Sequence, residues 1–517
     1  MSMNGAESLV RTLIDSGVEV CFSNPGTSEM HFVAALDKVA GMRCVLGLFE
    51  GVVTGAADGY YRMKDKPAAT LLHLGPGLGN GLANLHNARK AESGVVNIVG
   101  DHATYHIEYD APLTADIEGI AGPVSGWVKT SDSSRVVAAD GAAAVAAANT
   151  YPGQVATLIL PANTAWEESN GPAKPVAPPA PAQVPQDRID AIADILQRGE
   201  PTAFVMTGHT LREEALLAAG KIAVATGAKL LAQSSNARME RGAGRVPIES
   251  IPYVVDRALA KLAGYKHLIP VCAKAPVAFF AYPDKPSRLW PEDCEIHPLA
   301  GPEEDGAAAL EALAERVGAS DAGPLIQLPG DTPLPSPGEP INATTLAAVL
   351  ANLMPENAII ADEGITNSRD LPAATAACPP HDWLQICGGS IGIGFPLATG
   401  AAVACPDRKV IDVQADGSGM YTLQALWTQA RENLDVTTIV LSNRSYEILK
   451  HELRNVGANA GQIAIDMMDL DRPNLDWLAL AKGMGVEGKQ ATNAGELANA
   501  LKAGLASEGP YLIEAIL

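Results

Sequence analysis

Ala415-Asp-Gly-Ser-Gly-Met-Tyr-Thr-Leu-Gln-Ala-Leu-Trp-Thr-Gln-Ala-Arg-Glu-Asn-Leu-Asp-Val-Thr-Thr-Ile-Val-Leu-Ser-Asn-Arg-Ser445 is the stretch on which the reading of the fold turns. The run before it, Lys409 to Gln414, is apolar-biased and reads as a buried strand. Asp416-Gly-Ser-Gly419 makes a turn, Tyr421 to Asn433 reads as a helix, and Val436 to Leu441 forms a second strand ending at Ser442-Asn-Arg-Ser445. This order is a βαβ unit, and ligands bind at the carboxyl edge of parallel sheets. Asp416 brings a carboxylate oxygen to that edge and Asn443 an amide oxygen, both suited to Mg²⁺. The N–H groups of Gly417 and Ser418, near a helix start, suit phosphate oxygens. The unit reads as a seat for a metal-bridged diphosphate. In isolation, an Asp-Gly turn beside an Asx helix cap has the same residues.

Outward from this unit, the 517 residues are enough for several cores. A hydrophobic content of 47% with 19% charged residues describes an ordinary globular protein. The net charge of −22, with no basic stripe against it, argues against nucleic acid or an anionic membrane as partner. Seven cysteines show no C-x-x-C and no regular spacing, so neither a zinc site nor a disulfide framework is predicted. The first residues lack a basic segment followed by an apolar one, and no run approaches the roughly 18 apolar residues of a membrane span. A cytoplasmic protein is expected.

Two proline-rich stretches, Gly171 to Pro185 and Leu328 to Pro340, are too proline-dense for helix or strand. They divide the chain into an N-terminal domain (1–165), a linker (166–187), a central domain (188–322), a second linker (323–340) and a C-terminal domain (341–517). Short β-branched runs alternate with Ala-rich amphipathic runs in each block. That pattern predicts an α/β protein of three consecutive doubly wound parallel-sheet domains. The first and last blocks match in size and layout.

In the N-terminal block a strand, Glu19 to Phe22, runs into Ser23-Asn-Pro-Gly-Thr-Ser-Glu29. Cys44-Val-Leu-Gly-Leu-Phe-Glu50 leads to a small-residue helix from Gly51 to Tyr60, able to pack very closely against a neighbour. Glu50 thus stands at a strand-to-helix junction, where the positive helix end favours a carboxylate; a plain helix-terminal charge would stand there too. Ala68 to Leu72 is a strand leading into His73-Leu-Gly-Pro-Gly-Leu-Gly-Asn-Gly81, and Val95 to Val99 a strand ending in Gly100-Asp-His-Ala-Thr104. The glycines after His73 fail G-x-G-x-x-G, because position 80 is Asn and position 82 is Leu, and no P-loop motif occurs.

Asn24-Pro-Gly-Thr27, Phe49-Glu50 with Gly55-Ala-Ala-Asp-Gly-Tyr60, Leu74-Gly-Pro-Gly77 and the Asp416 to Asn443 unit together resemble the thiamine diphosphate-dependent 2-oxo acid decarboxylases and carboligases. Acetolactate synthase large-subunit-like proteins and benzoylformate decarboxylase are the nearest in appearance. The resemblance covers essentially the whole chain. It departs at Ala415, where the family has glycine, and at Ser442, where it has asparagine; both changes leave the metal-binding side chains in place. It implies pyrimidine-binding, central Rossmann-like and diphosphate-binding domains, in that order.

The resemblance also implies roles. Glu50 hydrogen-bonds the aminopyrimidine nitrogen of thiamine diphosphate and so promotes loss of the thiazolium C2 proton; its apolar setting, Val45 to Phe49, suits a dry carboxylate. Ile391 is the wedge that bends the cofactor, a carbonyl near Gly389 accepts from the 4′-amino group, and Thr366, Asn367, Gly417, Ser418 and Tyr446 contact the cofactor. Asp416, Asn443 and the Ser445 carbonyl hold Mg²⁺. Thr27 and His73 match a hydroxyl and a histidine of benzoylformate decarboxylase, and Asp101 and His102 stand where acetolactate synthases place a substrate-side glutamine. The decarboxylase's central-domain histidine has no counterpart in Ala275 to Tyr282, which mildly favours carboligation over aldehyde release. The flavin segment of acetolactate synthases is missing, so FAD is not expected. A homodimer with shared active sites, assembled into a tetramer, is implied. The rivals are an aldehyde-releasing 2-oxo acid decarboxylase, a non-catalytic thiamine diphosphate-binding homologue, and a Rossmann dehydrogenase, the last disfavoured by the failed glycine fingerprints.

Overall fold

A computed structural model describes residues 3–517. Alternating apolar runs and amphipathic helices fold into three parallel sheets with helices on their faces, the α/β architecture expected from the sequence. The first sheet is built from β1 (Val20–Asn24), β2 (Arg43–Leu46), β3 (Ala68–Leu72), β4 (Val95–Asp101), β5 (Trp127–Thr130) and β6 (Val155–Pro161), in the order β2-β1-β3-β4-β6-β5. The central segment supplies β7 (Thr202–Met206), β8 (Lys229–Ala232), β9 (Met239–Arg241), β10 (Glu249–Ser250), β11 (His267–Val271) and β12 (Glu295–Ile296). Five of these form the second sheet, β10-β8-β7-β11-β12. β9 leaves it and pairs antiparallel with the third sheet through Met239↔Trp383. That sheet adds β13 (Ile359–Glu363), β14 (His381–Gln385), β15 (Val410–Ala415), β16 (Val436–Ser442), β17 (Glu487–Ala491) and β18 (Tyr511–Ile516), in the order β17-β18-β16-β15-β13-β14-β9.

Leaving β9 aside, the third sheet repeats the first strand for strand: counted from its own first strand, each runs 2-1-3-4-6-5. The helices after the second strand of each repeat, Glu50–Lys64 and Gly394–Ala404, are therefore equivalent, and they pack directly on one another. Glycine permits the contact. A Cβ at Gly59 would stand 2.2 Å from the Leu397 carbonyl oxygen, and one at Gly400 only 1.9 Å from that of Ala56. One continuous apolar cluster, with Ala56, Tyr60, Leu397 and Ala401 among its members, joins the two sheets.

The three segments also meet around a buried ion pair. Arg62 donates to both carboxylate oxygens of Asp58 at 2.8 and 2.6 Å, to the Gln385 carbonyl at 2.6 Å and to the Ala237 carbonyl at 3.2 Å. One guanidinium thus ties the N-terminal helix to the central segment and to β14. The proline-rich stretches Gly171 to Pro185 and Leu328 to Pro340 contain no helix and no strand beyond a single bridge residue, Ala182.

Candidate active site

In both repeats the strand order reverses between the first and third strands, and the crevice at their carboxyl ends is where doubly wound sheets bind ligands. In the first sheet this is the gap between β1 and β3. β1 runs into a short turn of 3₁₀ helix, Thr27–Glu29, and His73 follows β3. Thr27 is exposed and His73 half-buried. His73 Nδ1 lies 2.8 Å from Glu29 Oε2, an acid with 1% exposure. The Gly26 N–H and the Ser28 hydroxyl donate to the same carboxylate at 2.8 and 2.7 Å. Glu29 fits because the end of β4 has no side chain there: a Cβ at Gly100 would fall 1.6 Å from Glu29 Oε1. Asp101 closes β4 as part of the strand, two residues beyond the strand end expected from the sequence, and accepts the His102 N–H at 2.7 Å. Burial pushes the Asp101 carboxyl up. His102 Nε2 is buried without a hydrogen-bond partner among the described residues.

Glu50 is the first residue of its helix and is buried. Asn80 donates to Oε2 at 3.0 Å, and Gly77 leaves room beside Oε1, where a Cβ would stand 3.2 Å away. Its polar neighbours come from the same N-terminal sheet; among the described residues no hydrogen bond or ion pair joins it to Asp416 or Asn443.

The matching crevice of the third sheet lies between β13 and β15. Asp416 follows β15 and is buried. Its Oδ2 accepts the Arg444 N–H at 2.6 Å, so the ends of β15 and β16 are locked together. Asn443 Oδ1 accepts the Ser445 N–H at 3.0 Å. Burial pushes the Asp416 carboxyl up to about 6, and no Lys, Arg or His pairs with it among the described residues. A dry carboxylate beside an amide oxygen, with no cation of its own, is a donor set that fits a hard divalent ion. Gly417 is required: a Cβ there would lie 2.4 Å from the Tyr446 ring.

Three expectations need correction here. Asp416–Gly419 is a single helical turn rather than a loose turn, and the next helix starts at Ala425, not Tyr421. The intervening residues form tight turns with i→i−3 backbone bonds, Tyr421 N–H to the Ser418 carbonyl and Thr422 N–H to that of Gly419, and the Thr422 hydroxyl donates to the Gly392 carbonyl at 2.8 Å. The Gly417 N–H is not free either, since it donates to Asp416 Oδ1 at 2.8 Å.

The 388–394 segment is clamped from two sides. His86 Nε2 contacts the Gly388 carbonyl at 3.1 Å, and Asn87 bonds both the carbonyl and the N–H of Ser390. On the other side, buried Glu363 accepts the N–H groups of Gly392, Ile393 and Gly394 at 2.8, 3.2 and 2.7 Å. Half-buried Ile391 sits between these clamps. Thr366 and Asn367 lie half-buried in the turn after β13, which runs two residues beyond its expected end at Ala361 and carries Asp362 and Glu363 inside the sheet. Phe279 from the central segment covers Gly389, where a Cβ would meet its ring at 2.7 Å, and Phe280 packs edge-on to Phe279.

Glu29, Asn80, Glu363 and Phe279 were missed from the sequence. Glu29 had the nearest signal, lying two residues from Thr27 in the quoted Asn-Pro-Gly motif, while Asn80 and Phe279 lie in the quoted stretches His73 to Gly81 and Ala275 to Tyr282 without a role assigned there. The others act through contacts 29 or more residues away along the chain.

Two family models match the chain: the thiamine pyrophosphate enzyme N-terminal TPP binding domain over residues 3–120, and the C-terminal TPP binding domain over residues 370–515. A Mycobacterium tuberculosis protein named as an acetolactate synthase large subunit, IlvX, is 50% identical over 100% of this chain and 99% of its own. The benzoylformate decarboxylase of Pseudomonas aeruginosa is 29% identical over 96% of both chains. The solved thiamine diphosphate-dependent 4-hydroxybenzoylformate decarboxylase of Rhodococcus jostii RHA1 superposes with a TM-score of 0.85 at 24% identity, over 99% of this chain and 98% of its own, and shares the fold.

Proposed function

Because the chain belongs to the thiamine pyrophosphate enzymes, we propose that it decarboxylates a small 2-oxo acid with thiamine diphosphate and Mg²⁺. Bound thiamine diphosphate supplies the carbon nucleophile and the electron sink for loss of CO₂. Asp416 and Asn443 offer the metal their side-chain oxygens and Ser445 its carbonyl, with Gly417, Ser418 and Tyr446 around the diphosphate. Glu50 holds a proton at the pyrimidine end. Ile391 and the Gly389 carbonyl shape and fix that end, and Glu363 keeps their segment rigid. Thr366 and Asn367 complete the diphosphate side.

His73 with Glu29 is the observation that carries the choice of reaction. A histidine whose Nδ1 is engaged by a buried carboxylate presents Nε2 as a proton carrier. Such a group would hand a proton to the substrate-derived product and so support release of an aldehyde, with Thr27, Asp101 and His102 around the substrate. The ring of Phe279 beside Gly389, with Phe280 packed edge-on against it, supports an apolar substrate side chain. Carboligation to a second carbonyl compound, preferred from sequence alone, is the second reading, and the 50% identity to an acetolactate synthase-named relative favours it. In either case Glu50 of one copy serves the Asp416–Asn443 end of another, in a homodimer or a tetramer built from such dimers.

Purified protein with thiamine diphosphate and Mg²⁺ is incubated with aliphatic and aryl 2-oxo acids, CO₂ is measured, and products are separated. Aldehyde as sole product supports the first reading. A 2-hydroxy ketone as main product replaces it with the second. No CO₂ from any acid, despite cofactor binding, removes both.

A further inference from the structure

The central sheet carries a cluster that this chemistry does not use. His267 opens β11, and its register partner Glu295 opens β12, the two-residue strand at the sheet's edge. His297 follows directly after β12 and is held to β11 by its N–H, which donates to the Leu268 carbonyl at 2.9 Å. Three donor atoms converge. His267 Nδ1 lies 3.2 Å from His297 Nε2, His297 Nε2 lies 3.2 Å from Glu295 Oε2, and that oxygen is 3.9 Å from His267 Nδ1. His267 is buried, His297 a quarter exposed and Glu295 largely exposed.

The second ring nitrogen of His267 decides what the first can do. Nε2 lies 3.0 Å from Glu200 Oε2, just before β7, so it carries the proton and Nδ1 keeps its lone pair. A carboxylate fixing a histidine tautomer so that the opposite nitrogen faces an ion is the usual support of a metal-ligating imidazole. Ligands at about 2.0–2.1 Å in tetrahedral array stand about 3.4 Å apart, close to the spacings of this triangle. A hydrogen bond between the two imidazoles would satisfy the histidines alone. It would not need a carboxylate within reach of both nitrogens and a second carboxylate behind one of them.

We propose that His267 Nδ1, His297 Nε2 and Glu295 Oε2 bind a first-row divalent cation of the zinc class, with water completing the shell. Two imidazoles and one carboxylate suit Zn²⁺, whereas Mg²⁺ takes oxygen donors in octahedral array. The site lies at the amino ends of β11 and β12, the end opposite the carboxyl edge where these sheets bind ligands. Its effect is structural: the ion clips the short edge strand to the sheet.

The test uses the full chain with thiamine diphosphate and saturating Mg²⁺, so that oxygen-donor sites are filled. Zn²⁺ is titrated by calorimetry, and Co²⁺ by its visible absorption. The expected result is a single saturable equivalent of Zn²⁺ per chain, with a tetrahedral Co²⁺ spectrum and a Zn²⁺-dependent rise in Tm. His297→Ala abolishes all three, Glu295→Gln weakens binding by at least about 10-fold, and Glu200→Gln by about 10–100-fold. These side chains are partly exposed, so their loss leaves folding intact, as circular dichroism would verify; buried His267 is a poorer target. Absence of a saturable equivalent overturns the proposal. So does binding that persists unchanged in His297→Ala. Unchanged affinity in Glu295→Gln removes the carboxylate and overturns the three-ligand site.

Discussion

At the residue scale, the proposed chemistry turns on two carboxylates with contrasting settings. Glu50 has one neutral donor, Asn80, and a glycine beside its other oxygen, so that oxygen is open to a ligand. Glu50→Gln keeps the size and loses the proton. It is expected to leave Tm unchanged and to lower CO₂ release by about 10²–10⁴-fold, the usual range for a proton-transferring group; near-normal turnover would take Glu50 out of the mechanism. Glu29 is different, because His73, Gly26 and Ser28 all engage its carboxylate and it acts through His73 as a positioning residue. Glu29→Gln should lower kcat with little change in KM and shift the basic limb of the pH–rate profile, while Glu29→Asp should recover part of the rate. A variant with reduced Tm and an unmoved pH profile would reduce Glu29 to a structural role. The first of these residues was legible from its motif. The pairing of Glu29 with His73, 44 residues away, was not.

At the scale of elements, the crossing of the Glu50–Lys64 and Gly394–Ala404 helices sets the distance between two sheets. Sequence announced a helix able to pack closely, through its run of small residues, but not its partner. The partner is the equivalent helix of the other repeat, and backbone meets backbone at Gly59 and Gly400. Gly400→Ala places a methyl group inside a carbonyl and forces the helices apart. It should cost roughly 3 kcal/mol, at the upper end of overpacking penalties, read as a lower denaturant midpoint. The 388–394 segment shares the crossing, so cofactor affinity should fall with it. Unchanged stability would mean that the helices can separate freely. The strand ends show the limit of pattern reading: β13 and β4 each run two residues beyond the stretch that announced them, and at the end of β13 the acids are held by the 392–394 N–H groups and by Trp383.

For the molecule as a whole, Arg62 is a junction of all three segments. It pairs with Asp58 in a setting where both side chains are essentially buried, and it caps carbonyls of two other segments. Arg62→Met leaves Asp58 buried without its counter-charge and should cost about 3–5 kcal/mol. Measured by denaturant titration, a loss below 1 kcal/mol would show that the pair is dispensable. pH acts through the same region. His381 on β14 is fully buried, and burial, with Arg241 nearby, pushes its imidazole down from 6.5 to about 4. The unfolded ring therefore takes up a proton that the folded one refuses. Stability is complete above about pH 6.5 and falls as pH drops toward 4, by about 2 kcal/mol at pH 5. Unfolding midpoints at the two pH values should show this loss, and His381→Gln should flatten it; an equal loss in both proteins would assign the pH dependence to other groups.

Sequence by itself determined the α/β class, the parallel sheets and the cofactor family, and it singled out Glu50, Asp416 and Asn443 for the proposed site. Each of these is written in local order: a strand, a turn residue with special geometry, a helix start. Only the tertiary structure decided that β9 crosses to the third sheet, that the two outer sheets repeat one topology, that Glu363 clamps the 388–394 segment, and that Phe279 faces Gly389. It also brought His267, Glu295 and His297 together. Such contacts join residues far apart in the chain, where a lone Glu or Phe has no periodicity to mark it. Their energy comes from burial and from pairing across elements, and neither exists until the sheets have closed on each other.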